Sequence, residues 1–79
     1  MDEVYKIVDN ISNIKVAQII KKLINKIHTC SIEDVSSAYH MLLGSLLMAE
    51  VVNELSRDDG KKIINTLKSI VKNRLSQSR

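Results

Sequence analysis

Apolar residues recur along this chain at helical spacing. Val4, Ile7, Val8 and Ile11 stand at i, i+3, i+4 and i+7, which predicts a short amphipathic helix over residues 2–11. Asp2 and Glu3 fall in its first turn, where the helix dipole favours negative charge. The next apolar set is Val16, Ile19, Ile20, Leu23, Ile24 and Ile27. At roughly 100° per residue its centre lies about 120° around from the first, so one straight helix cannot bury both. A break is therefore expected at Asn10 to Asn13, where Asn and Ser suit a turn and a new N-cap, with a second helix over 14–28.

The third segment differs. From Ala38 to Ala49 the chain is apolar on nearly every side of a helix, interrupted by His40, Gly44 and Ser45. A helix of that kind needs neighbours all round, so the rest of the chain is expected to wrap it. Its start is marked by Ser31 with Asp34 three residues on, a capping pattern, and by Cys30 and Val35 at the positions of a hydrophobic staple. It is read to Leu55, as residues 32–55. Ala38, Ser45 and Ala49 form one strip of small residues, and Ser37 with Gly44 another. Glycine costs up to ~1 kcal/mol inside a helix, so Gly44 implies close approach by a neighbour.

Ser56 and Asp59 repeat the capping pattern and open a fourth helix over 57–75. Ile63, Ile64, Leu67, Ile70 and Val71 make its apolar stripe, Lys61, Lys68 and Lys72 lie opposite, and Arg74 sits where it can snorkel from the apolar edge. Residues 76–79 have nothing to pack and are expected to fray. The fold class is all-α: a compact bundle of about four helices around the apolar helix 32–55.

Length makes this a single domain, 1–79, with a marginal core. One cysteine, Cys30, gives neither an internal disulfide nor a metal framework, which leaves oligomerisation as the supplement to expect. Three amphipathic neighbours also fall short of covering the third helix, so a homodimer with that helix near a two-fold axis is expected. Phe, Trp and Pro are absent, while Ile, Lys and Asn make up about a third of the chain, as AT-rich coding sequence produces. The Ile, Lys and Asn content suggests a viral, phage, plasmid or AT-rich microbial source, and the absence of Phe counts against it. The acidic start lacks a signal-peptide pattern, and no apolar run approaches the ~20 residues of a membrane span. A cytoplasmic protein with no membrane contact is the expectation.

The formal charge of +3 hides a division. Lys15, Lys21, Lys22 and Lys26 meet no acid in the second helix, and no acid follows Lys61. Between Ser31 and Asp59 six acids face Arg57 alone. Lys15, Lys22, Lys26, Lys61, Lys68 and Lys72 are the residues for phosphate or acidic-partner contact. A helix-turn-helix over 46–67 fails because Asp58 and Asp59 would face phosphates at the start of the reading helix. His28 and Cys30 are two ligands where a structural zinc needs four. No phosphate loop, triad or paired-acid pattern indicates an enzyme, and no cofactor or metal is expected.

The function this supports is a non-enzymatic regulator, adaptor or inhibitor acting by protein–protein binding. Tyr39, His40, Leu43, Gly44, Leu47, Met48 and Val51 are the expected partner or dimer interface. His40 at such an interface would make it weaken in acid. The alternative is a nucleic-acid-binding regulator that uses the lysine stripes.

Overall fold

The computed structural model describes residues 1–77. Four α-helices follow in order: α1 (Asp2–Asp9), α2 (Ile14–Thr29), α3 (Ile32–Val51) and α4 (Arg57–Ser76). They form an all-α bundle about 40 Å long and 19 Å across. Short connections make consecutive long helices antiparallel neighbours. α3 packs against α2 on one side and α4 on the other, while α1 bridges α2 and α4 without reaching α3.

The break between α1 and α2 lies where the change of apolar face demands it. Asn13 caps α2, its side-chain oxygen accepting from the Val16 amide at 3.2 Å. α1 stops at Asp9, two residues short of the expected end, and Ile11 is buried from the connection instead. Two exposed ion pairs, Lys21–Asp9 and Lys62–Glu3, tie α1 to α2 and α4. Such pairs contribute at most ~1 kcal/mol each, so the buried Val4 and Val8 hold α1 in place.

Ser31 is the N-cap of α3, but its hydroxyl donates to Asp34 Oδ2 at 3.1 Å rather than accepting from an amide. The Asp34 amide goes to the Ser31 carbonyl at 3.0 Å. Cys30 is half-buried against the core and Val35 fully buried. At α4 the expected cap is present, Ser56 Oγ accepting from the Asp59 amide at 3.1 Å.

Three expectations about α3 need correction. First, the helix ends at Val51, not Leu55. Asn53 adopts a left-handed φ of 62°. The Glu54 amide donates to the Ala49 carbonyl at 2.9 Å and the Asn53 amide to the Glu50 carbonyl at 3.1 Å. That is the Schellman stop, with Asn in the place glycine usually takes. Second, α1 does not join the cover of α3, which rests on α2 and α4. Third, no neighbour within the chain accounts for Gly44. It is exposed, and a methyl group there would meet nothing within 4 Å beyond its own helix. Gly60 is the glycine with a close neighbour: a methyl there would come 2.6 Å from the Glu50 carboxylate.

Three long-range hydrogen bonds lock the two ends of the bundle. Glu54, in the α3–α4 connection, accepts from Ser12 Oγ at 2.8 Å and from the Asn13 amide at 3.1 Å, joining the two loops at one end. At the other end Arg74 Nη1 donates to the Ile27 carbonyl at 2.9 Å, so its snorkelling head satisfies a last-turn carbonyl of α2. Of the tail expected to fray, Ser76 is the last helical residue and its hydroxyl bonds the Lys72 carbonyl at 2.9 Å. Ser78 and Arg79 lie outside the described residues.

Candidate protein-binding surface

The buried seam of α3 is Val35, Ala38, Leu42, Leu46 and Ala49, at alternating spacings of three and four. This is the ordinary core stripe of an amphipathic helix. What sets α3 apart is that from Met41 onward much of its remaining surface is apolar too. Met41, Leu47, Met48, Val51 and the C-cap Val52 remain 54–66% exposed. Among the described residues only Ile14 and Ile19 are comparably open, with Met1 and Leu75 less so.

Helical spacing sorts these positions. Met41, Ser45, Met48 and Val52 run along the α2 side of α3, at i, i+4, i+7 and i+11. Here an open groove of about 1020 Å³ runs along the surface where the two helices meet. Val16, Ile19 and Leu23 form the α2 wall. Lys22 and Lys26 stand along the same wall and are exposed. Leu47 and Val51 occupy the ridge turned away from the core, and Gly44 lies between that ridge and the groove, which it also lines.

The two hydroxyls in the groove are already satisfied. Ser45 Oγ donates to the Met41 carbonyl at 3.0 Å, and Thr29 Oγ1 to the Asn25 carbonyl at 2.9 Å. The groove therefore presents a mainly apolar surface. No acid lines the groove.

Of the seven residues expected at an interface, His40, Gly44, Leu47, Met48 and Val51 are exposed, while Tyr39 and Leu43 are half-buried on the α4 side. The Tyr39 and His40 rings meet edge to face with centroids 6.2 Å apart. His40 is not inside the bundle, and its Nδ1 donates to the Ser36 carbonyl at 2.8 Å. Sequence reasoning missed Ile19, Met41 and Val52. Ile19 was counted in the core stripe of its helix, although it sits at the stripe's edge. The signal for Met41 was available: it stands seven residues before Met48 and so shares its face.

All six candidate lysines are exposed. Lys22 and Lys26 border the groove, whereas Lys61, Lys68 and Lys72 lie opposite the buried Ile63, Leu67 and Val71 on α4 and do not line it. His28 Nδ1 bonds the Ile24 carbonyl at 3.0 Å, and Cys30 Sγ lies 4.0 Å from Arg74 Nη1. Among the described residues no group of three or more His, Cys, Asp or Glu is placed to hold a metal, and no helix is long and apolar enough to cross a membrane. No family model matches the chain, and no curated protein or solved structure matches it.

Proposed function

We propose that this chain is a small non-enzymatic regulator of the adaptor or inhibitor type, which acts by binding another protein through the bare side of α3. The observation that carries the reading is the row of exposed apolar residues on α3, five large side chains that the chain's own helices leave uncovered. Contiguous apolar surface of this kind on a small domain is what interaction sites look like. The groove beside it has the form that takes an amphipathic helix.

Self-association belongs to the same reading. Leu47 and Val51 project from the ridge, and Gly44 leaves room for a second copy of α3 to approach about a two-fold axis. The test is capture from the native source by the wild-type chain and by the Met48→Glu/Val52→Glu variant. A protein held by the first and lost from the second, with helicity unchanged, supports the reading. Equal capture by both removes it. A solution mass that stays monomeric at high concentration removes the dimer alone.

A nucleic-acid reading rests on the exposed lysines of α2 and α4. It requires retention on DNA or RNA at low salt that falls steeply as salt rises.

A further inference from the structure

We infer that the α2–α3 groove takes one amphipathic helix of a different protein, with acidic residues along the edge that lies on α2. The inference rests on the protein-binding reading above and names the chemistry of the partner.

Shape supplies the first argument. The lining runs from Val16 to Thr29 on α2 and from Met41 to Val52 on α3. At ~1.5 Å per residue this is roughly 17–20 Å, the length of a helix of three to four turns. Two antiparallel helices with a furrow between them accept a third as ridges enter grooves. Met41, Met48 and Val52 on one wall and Val16, Ile19 and Leu23 on the other offer holes for apolar residues spaced i, i+3 or i+4, and i+7.

Charge supplies the second. The two walls are unlike: α2 carries Lys22 and Lys26, and the α3 wall carries no charge. Lys22 and Lys26 have no ion-pair partner among the described residues; the pairs present are Lys21–Asp9 and Lys62–Glu3. An incoming helix is therefore asked for acids on one edge and apolar residues on the other.

The same charges argue against a second copy in this groove. Lys22 stands at the middle of the α2 wall, so a two-fold axis across the groove would bring it towards its own copy. A nucleic-acid backbone would set phosphates against Met and Val side chains. An acid-edged helix satisfies both the apolar floor and the lysine rim.

The probe is a helix-favouring synthetic peptide of about four turns with a leucine stripe and glutamates along one edge. Its control carries lysines at the glutamate positions. Fluorescence anisotropy at low salt should find the acid-edged peptide bound about tenfold more tightly, as two exposed ion pairs in place of two repulsive pairs provide. Lys22→Glu/Lys26→Glu should invert that preference while far-ultraviolet circular dichroism stays unchanged. Equal affinity for the two peptides overturns the acidic partner and leaves protein binding standing. If neither peptide binds and Met48→Glu abolishes a dimer seen by sedimentation, the occupant is a second copy and the inference is wrong. If neither binds and the Met48→Glu/Val52→Glu variant captures as the wild type does, the protein-binding reading falls with it.

Discussion

Replacing Gly44 by Ala should stabilise the isolated protein, although Gly44 sits in the middle of the helix that holds much of the core. It is the thirteenth residue of the 20-residue α3, and a methyl group there meets nothing within 4 Å beyond its own helix. No packing cost offsets the propensity gain, so the full helix-interior difference of roughly 0.8–1 kcal/mol in favour of Ala should appear. For a domain of this size that is a rise in Tm of about 4–8 °C. Urea and thermal unfolding followed by circular dichroism, at a concentration that keeps the chain monomeric, would measure it. The same change at Gly60 should gain less, because its methyl would have to displace the Glu50 carboxylate from 2.6 Å. A loss of more than ~0.5 kcal/mol for Gly44→Ala would refute the reasoning, since it would mean that something already occupies that space. The gain should also shrink as protein concentration rises if a second copy approaches the ridge there.

Three further outcomes follow from the packing. Leu42→Ala, at a position with no exposed surface, should cost about 2–5 kcal/mol, while Met48→Ala on the same helix should stay within ~0.5 kcal/mol; urea unfolding of the pair checks this. Arg74→Met leaves the Ile27 carbonyl without its donor and should cost about 1–3 kcal/mol, with faster amide exchange in the last turn of α2. Asn53→Gly should leave stability within a few tenths of a kcal/mol, whereas Asn53→Val, a β-branched residue forced to positive φ, should cost about 1–3 kcal/mol by the same assay.

Much of the fold was legible because it rests on local rules. The offset between the Val4–Ile11 and Val16–Ile27 stripes forced a break, and Asn13 and Ser56 cap where short polar side chains are expected to. The end of α3 was not legible, because its stop uses Asn53 in the left-handed region and no glycine marks it. Nor was the company α3 keeps. Stripes say which face of a helix is buried, not which helix covers it, and α1 covers α2 and α4 instead. The clasp from Glu54 to Ser12 and Asn13 joins residues about forty positions apart, so no local pattern announces it. For the surface, excess apolarity on α3 pointed to the helix that keeps large apolar side chains exposed, but the groove needed the α2 wall, which only the packing supplies.

The most direct test of the account uses the chain's three methionines, Met1, Met41 and Met48. Methyl-labelled methionine gives one signal for each, and Met1 lies outside the groove as an internal control. With a soluble paramagnetic agent, the Met41 and Met48 methyls should broaden strongly in the free protein. Saturation with the acid-edged peptide should protect both and leave Met1 as it was. Met41 and Met48 methyls that stay equally broadened with the peptide bound would contradict the claim that the bare side of α3 is where this protein takes its partner.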